Sequence, residues 1–336
     1  MKIGLVLPTT PNYSETFFQS QILGLSQSGF DVILYLNSNG IEKNTLPENV
    51  NIIAQSDFNN WIKLVIILLR LIIIHPINIF RFIRLEKQSD YNICTIIKHI
   101  LLNAHILDQR LDWLHFGFAT MGIQRENVAK AIGAKSAVSF RGFDIGLYPY
   151  QHPNCYNLLF KRIDKVHTIS DDLYNKALDI GLDSKISFEK ITPAINTTFF
   201  QSNSNEELHN PIRLLTVGRL TWKKGYEYAL KSLSLLKDKQ IHFEYHIVGE
   251  GDYKEAIFYA IHQLGLTDNV ILKGQLSQEK VKREMEWADI YLQPSIQEGF
   301  CNSVLEAQAM GLICIVTDAE GLSENVIQGE TGWVLP

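Results

Sequence analysis

Along the second half of the chain, short apolar runs alternate with amphipathic stretches of helix length. Ile212 to Val217, His242 to Val248, Asn269 to Leu272, Ala288 to Leu292 and Leu312 to Val316 have the length and composition of buried strands. Tyr226 to Leu236, Tyr253 to Leu264, Gln278 to Trp287 and Ser303 to Met310 lie between them, each opened by glycine or polar residues as a helix start requires. Strand, helix, strand repeated in this order predicts a parallel sheet covered on both faces. Such sheets bind ligands at the carboxyl ends of their strands, so chemistry is sought in the loops that follow the apolar runs. The first half repeats the logic less regularly, with strands over Ile3 to Leu7, Asp31 to Leu36, Trp113 to Phe116, Ala137 to Phe140 and Val166 to Ile169. A helix over Glu15 to Gln27 and a long helical insertion complete it.

The polar, aperiodic stretch Gln201 to Pro211 reads as a linker. The expected organisation is therefore α/β, with two Rossmann-like parallel-sheet domains, 1–200 and 212–336, facing a cleft. A length of 336 residues suits two domains, and 46 % apolar with 20 % charged residues excludes a disordered or fibrous chain. Lys and Arg number 31 against 36 Asp and Glu, too acidic a balance for a protein that coats nucleic acid. Cys94, Cys155, Cys301 and Cys314 show neither zinc-ribbon spacing nor a disulfide ladder, which suggests free thiols in a reducing cytoplasm. The apolar run Ile3 to Leu7 stops at Pro8, too short for a secretory signal, and no stretch reaches the ~20 residues of a membrane span.

Two loops carry charge where the sheet pattern predicts a ligand. Gly218-Arg219-Leu220-Thr221-Trp222-Lys223-Lys224-Gly225 follows the first strand of the second domain. A guanidinium fork from Arg219 and an ammonium from Lys224 can both reach a diphosphate, and the glycines allow close backbone approach. Lys223 reads as the solvated member of the pair. After the strand ending at Leu292 comes Glu298-Gly299-Phe300-Cys301-Asn302-Ser303-Val304-Leu305-Glu306, with Glu298 on a loop and Glu306 on the helix that it opens. The free N–H groups of that helix start attract phosphate, and a carboxylate nearby can accept two ribose hydroxyls. The alternative is a solvated Glu298 and a Glu306 on an exposed helix face.

These residues, with Leu292-Gln293-Pro294-Ser295 and Glu330-Thr331-Gly332-Trp333, resemble the family 4 glycosyltransferases, retaining enzymes of the GT-B fold, of the type that builds exopolysaccharide and lipopolysaccharide. The resemblance covers nearly the whole chain. It implies that 212–336 binds a nucleotide-sugar donor and that Arg219 and Lys224 hold its diphosphate. Glu298 would then contact the sugar and Glu306 the ribose. Gly218, Gly299, Phe300, Asn302 and Ser303 count with the donor-binding residues, as do Gly249 and Glu250 of the turn Gly249-Glu250-Gly251. In the first domain, Tyr13-Ser14-Glu15-Thr16-Phe17 is similar to the family's donor loop, so Ser14 and Glu15 are donor-side candidates, although the loop lacks central glycines. Leu114-His115-Phe116-Gly117 resembles the His-Phe turn near the sugar, and a structural role for His115 stays open beside a catalytic one. In Arg141-Gly142-Phe143-Asp144 an Arg stands where many relatives have His, with Arg141 and Asp144 as acceptor-side candidates.

Glycosyl transfer needs a stabilised diphosphate leaving group more than a strong protein nucleophile, and Arg219 and Lys224 would supply it. There is no Asp-x-Asp in the chain, so no metal cofactor is expected. With Glu306 placed at the ribose by resemblance, the two-carboxylate displacement of glycosidases is not expected, and front-face transfer is implied. The expected activity moves a sugar from a nucleoside-diphosphate sugar to a saccharide or lipid-linked acceptor in cell-surface polysaccharide synthesis. A nucleotide-sugar 2-epimerase of the same fold is one alternative; a non-catalytic two-domain sugar-binding protein is another.

Trp61 to Leu85 has an unusual composition. From Phe58 to His105, six Lys and Arg (Lys63, Arg70, Arg81, Arg84, Lys87, Lys98) oppose only Glu86 and Asp90. The segment suits either an anionic membrane interface on the inner face of the cell membrane or a pair of core-facing helices broken at Pro76. Finally, the resemblance implies further helices after Pro336, so the sequence reads as shortened at its C-terminus.

Overall fold

In the computed structural model, residues 1–11, 16–37, 46, 50–55, 60–202 and 208–336 are described. Ser14, Glu15 and part of the 201–211 segment lie outside them. The chain divides into two compact units, Met1–Thr192 and Pro193–Pro336. The division falls ahead of the polar 201–211 stretch because Phe199 and Phe200 already pack into the core of the second unit.

The first unit holds β1 (Lys2–Leu7), β2 (Asp31–Leu36), β3 (Asn51–Ala54), β4 (Trp113–Phe116), β5 (Lys135–Phe140), β6 (Lys165–Thr168) and β7 (Ser187–Lys190). They form one parallel sheet in the order β3-β2-β1-β4-β5-β6-β7. The second unit holds β8 (Ile212–Val217), β9 (Phe243–Val248), β10 (Val270–Gly274), β11 (Ile290–Gln293), β12 (Ile313–Thr317) and β13 (Gly332–Leu335). Its parallel order is β10-β9-β8-β11-β12-β13.

Both sheets grow outward in opposite directions from a central pair, β1 beside β4 and β8 beside β11. Crossovers leave such a pair toward opposite edges, so the loops after its two strands splay apart and open a crevice at their carboxyl ends. In the second unit those loops are the two charged loops of the sequence.

The central strands are mostly apolar because both their faces are covered. Leu214 packs with Tyr226, Leu230, Tyr245 and Ile257 on one face, while its neighbour Leu215 packs with Val248, Tyr291, Val304 and Cys314 on the other. All four cysteines are free thiols.

The helical insertion consists of Trp61–Ile74, Pro76–Gln88, Ile93–Leu102 and Ala104–Leu107. The alternative in which the first two helices face the core holds for the second, since Pro76–Gln88 buries Ile79, Phe82 and Leu85, and not for the first. Leu71 is the buried residue of Trp61–Ile74, whereas Trp61, Ile66, Leu69 and Ile73 are exposed, as are Ile77 and Phe80 beyond the break. Among the described residues no single helix is long and apolar enough to cross a membrane, and the pair is bent by 107° at the Pro76 break.

Candidate donor site at the strand switch of the second domain

The loop after β8 is shaped by its contacts with neighbouring loops. Gly225 has φ +64, and a Cβ there would fall 1.9 Å from the Pro294 carbonyl oxygen, so only glycine lets this loop close on the one after β11. The Lys223 carbonyl accepts from the Ile296 N–H at 2.7 Å across the same seam. Gly249 plays the matching part on the other side, at φ +146 with its Cβ position 1.9 Å from the Gly218 carbonyl oxygen. The turn Gly249-Glu250-Gly251 thus buttresses the Arg219 loop through Leu220 N–H to the Glu250 carbonyl at 3.0 Å. The Glu250 side chain pairs with Lys254 at 2.9 Å.

Within this frame, buried Lys224 points its ammonium at Glu298, with Nζ 2.5 Å from Oε2 and both side chains largely shielded. Glu298 is not the solvated loop residue of the alternative reading. Burial alone would lower the Lys224 pKa, but Glu298 outweighs it and holds the ammonium above its ordinary range. Lys223 differs from its expected solvated state: it is half-buried, and burial draws its pKa down with only partial compensation from Glu298. Arg219 is exposed and lies within electrostatic reach of both lysines, lowering each. Three cations therefore share one loop, and Glu298 neutralises one of them.

Helix Asn302–Ala309 begins beside them. Its first turn has no side-chain cap, and Cys301 is held at its start by Asn325, which accepts from the Cys301 N–H and donates to the Cys301 carbonyl, both at 3.0 Å. Its N–H groups thus stay available to an anion. Gly299 is buried and Phe300 half-buried in the connecting loop, and Asn302 is the first helical residue. Glu306 is half-buried rather than on an exposed face, and its carboxylate has no hydrogen-bond partner among the described residues. Burial pushes its carboxyl up to about 7. A shielded carboxylate lacking donors is suited to a ligand bringing hydroxyls.

Beneath the charges runs a polar network that the sequence does not announce. Tyr291 OH lies 2.7 Å from Ser303 Oγ and 3.0 Å from Gln293 Oε1, and Gln293 donates to Ser295 Oγ at 2.8 Å. Ser303 also donates to the Val217 carbonyl at 3.0 Å, so its hydroxyl joins the helix start to the end of β8. Ser295 reaches Glu298 at 3.5 Å. Tyr291 and Gln293 belong to β11, Ser295 to the loop after it and Ser303 to the helix that follows, so the fold and no contiguous motif brings them together.

In the first unit, His115 and Arg141 stand at the carboxyl ends of β4 and β5. His115 Nε2 lies 2.8 Å from Ser139 Oγ. Burial, then the neighbouring His167 and Arg141, lower His115 to about 3, so its ring is neutral. Arg141 donates to the Gly117 carbonyl at 3.1 Å and to Gln21 Oε1 at 3.2 Å, and its guanidinium lies over Phe17 and Phe18 at 4.3 and 4.4 Å. Asp144 is buried, accepting from the N–H groups of Arg141 and Gly142 at 3.0 Å and of Ala119 at 2.9 Å. It pins the loops after β4 and β5 together, which occupies its carboxylate internally.

Residues 197–336 match the family described as glycosyl transferases group 1. The whole chain is 27 % identical to the amylovoran biosynthesis glycosyltransferase AmsK of Erwinia amylovora over 358 positions, covering 87 % of that protein. It is also 27 % identical to the putative colanic acid biosynthesis glycosyltransferase WcaL of Escherichia coli K12 over 365 positions, again with 87 % of the relative covered. Among solved structures, Anabaena HepE in complex with UDP superposes with a TM-score of 0.70 at 14 % identity, over 99 % of this chain and 85 % of that one. Sucrose-phosphate synthase of Thermosynechococcus elongatus does so with a TM-score of 0.70 at 15 % identity, over 100 % and 86 %. The two parallel-sheet domains are those of the GT-B fold.

Proposed function

The chain is a glycosyltransferase carrying a group 1 domain over residues 197–336, and from that premise we propose that it transfers a sugar with retention of configuration from a nucleoside-diphosphate sugar in cell-surface polysaccharide assembly. The epimerase and receptor alternatives are not favoured by these relatives. The observation that carries the reading is the joining of Arg219, Lys223 and Lys224 with an uncapped helix start and a half-buried Glu306, whose carboxylate has no partner among the described residues, around one strand switch. A diphosphate meets the cations and the helix N–H groups, and a ribose diol meets Glu306. As the sugar–phosphate bond breaks, negative charge grows on the diphosphate, and cations fixed in place before the reaction favour that state over the ground state. Glu298, held by Lys224, faces the sugar in this reading, and no protein nucleophile is invoked.

That HepE was solved with UDP and the relatives are named for exopolysaccharide products favours a UDP-type donor and a saccharide or lipid-linked acceptor. The exposed apolar face of helices Trp61–Ile74 and Pro76–Gln88 supports docking on the cytoplasmic surface of the membrane, where a lipid-linked acceptor resides. The test is thermal stabilisation by UDP, GDP, ADP and TDP sugars followed by product NMR with the stabilising donor. One donor should raise the melting temperature and give a product of unchanged anomeric configuration. Stabilisation by none of them removes the donor assignment, and an inverted product removes retention.

A further inference from the structure

The resemblance of Leu114-His115-Phe116-Gly117 to the family's His-Phe turn implies that His115 lies near the sugar, and the inference here rests on that expectation and on the proposed transferase activity. His115 ends a hydrogen-bonded row that crosses three strands on one face of the first sheet. In register His115 of β4 lies opposite Ala137 of β5, and Ser139, two residues on and therefore on the same face, lies opposite His167 of β6. The contacts follow: His115 Nε2 to Ser139 Oγ at 2.8 Å, Ser139 Oγ to His167 Nδ1 at 2.7 Å, and His167 Nε2 to the Ile191 carbonyl oxygen at 3.1 Å. Ser139 is fully buried, so water does not compete for its hydroxyl.

The far end fixes the direction of every bond. A carbonyl oxygen only accepts, so His167 Nε2 carries the proton that faces Ile191. His167 is neutral, lowered to about 4 by burial, so its Nδ1 is a bare lone pair and accepts from the Ser139 hydroxyl. With its one proton spent on His167, Ser139 offers His115 only a lone pair, and His115 Nε2 must donate to it. His115 is neutral as well, which leaves its Nδ1 unprotonated. That nitrogen has no partner among the described residues.

We propose that Ser139 and His167 are positioning residues that lock His115 in the Nε2-protonated tautomer and so present its Nδ1 as a hydrogen-bond acceptor for a hydroxyl of the bound sugar substrate. The wrong tautomer would present N–H to that hydroxyl and leave Ser139 facing a second lone pair. Locking the ring beforehand removes that competing state before the substrate arrives.

The experiment combines ring nitrogen NMR on the full chain with steady-state transfer. In the wild type both histidines should show the shifts of a single Nε2-protonated tautomer at pH 7, with one pyrrole-type and one pyridine-type nitrogen each. In Ser139→Ala and His167→Leu the His115 nitrogens should move toward tautomer-averaged shifts, and kcat should fall about tenfold with donor KM within twofold. In His167→Asn, whose amide oxygen can still accept from Ser139, most of kcat and the locked shifts should return. An Nδ1-protonated or averaged His115 in the wild type overturns the proposal. So does Ser139→Ala turning over at the wild-type rate when His115→Ala loses a hundredfold. Wild-type turnover in His115→Ala overturns the placement of His115 itself, and the two failures are thus told apart.

Discussion

Arg219 and Lys224 are both cations of one loop, yet their surroundings set them different consequences on removal. Arg219 is exposed, so Arg219→Ala should leave the melting temperature unchanged. It should lower kcat/KM for the donor by on the order of 2 to 4 kcal/mol in transition-state stabilisation, a loss read directly from initial rates. Near-wild-type rates would remove Arg219 from the diphosphate site. Lys224 is buried against Glu298, and Lys224→Ala leaves that carboxylate shielded and uncompensated. A destabilisation of about 3 to 5 kcal/mol should therefore accompany its loss of activity, and the double variant Lys224→Met/Glu298→Gln should recover stability without recovering transfer. Equal melting temperatures for Lys224→Ala and the wild type would contradict the pairing. Glu306 gives a third reading at this scale. Its free carboxyl titrates near 7, and ribose hydroxyls favour the ionised form, so nucleotide binding releases a proton. Affinity should then rise as pH increases through 7 and level off above it. Calorimetric titration of UDP at pH 6 and pH 8 should show the change in wild type and its absence in Glu306→Gln; a pH-dependent Glu306→Gln would assign it to another group.

At the scale of elements, burial decides what could be read from sequence. β2, β8 and the helix Gln278–Trp287 have the bounds their patterns predict, because a strand covered on both faces is mostly apolar along its length and an amphipathic helix must repeat its apolar face. β7 went unread: Ser187–Lys190 is exposed at all four positions and is an edge strand, paired with β6 on one side. β13 is likewise an edge strand, with Trp333 and Leu335 exposed. The same limit applies to the site. Charges following a strand are visible as a motif, whereas Ser139 and His167 are partners only through strand register, and Tyr291 and Ser303 only because the helix Asn302–Ala309 starts beside β11. For the helical insertion, the structure revises which charges are available to a membrane. Arg70 is paired with Asp108 at 2.9 Å, and the acid Glu86 is buried against His99 at 2.6 Å and so does not offset the surface charge. Arg81 and Arg84 instead line a hollow of about 360 Å³ with Leu85, Gln88 and Lys130. Helical spacing puts Ile77, Phe80, Arg81 and Arg84 on one solvent-facing stripe, apolar at one end and basic at the other. Flotation with phosphatidylglycerol vesicles should therefore be positive at low salt and fade as salt screens contributions of roughly 1 kcal/mol per cation. The variant Lys63→Gln/Arg81→Gln/Arg84→Gln/Lys130→Gln should lose it. Binding that is absent at low salt, or unchanged in that variant, would leave the exposed apolar face to another partner.

For the whole molecule, the organisation repeats one physical device twice. Each domain is an open parallel sheet whose strands run outward from a central pair, and each collects polar groups at the carboxyl ends of that pair: His115 after β1 and β4 have aligned, Arg219 and Lys224 after β8 and Glu298 after β11. The chain is acidic overall, 36 Asp and Glu against 31 Lys and Arg, so the cations of the Arg219 loop are a local concentration rather than part of a general basic surface. Glycosyl transfer from a nucleotide sugar must neutralise a diphosphate that gains charge as it leaves, and that can be done by a divalent ion on paired carboxylates or by fixed cations and helix N–H groups. The sequence has no Asp-x-Asp to hold an ion in the first way, while Arg219, Lys223, Lys224 and the uncapped start of Asn302–Ala309 offer the second. Transfer should therefore persist after exhaustive EDTA treatment, at no less than about half the untreated rate, and added Mg²⁺ or Mn²⁺ should not raise it severalfold. Salt should depress the rate instead, because an exposed guanidinium such as Arg219 is screened where a coordinated ion is not. Activity that vanishes with EDTA and returns with Mn²⁺ in an enzyme that still binds UDP would transfer the neutralising role from the Arg219 loop to a metal.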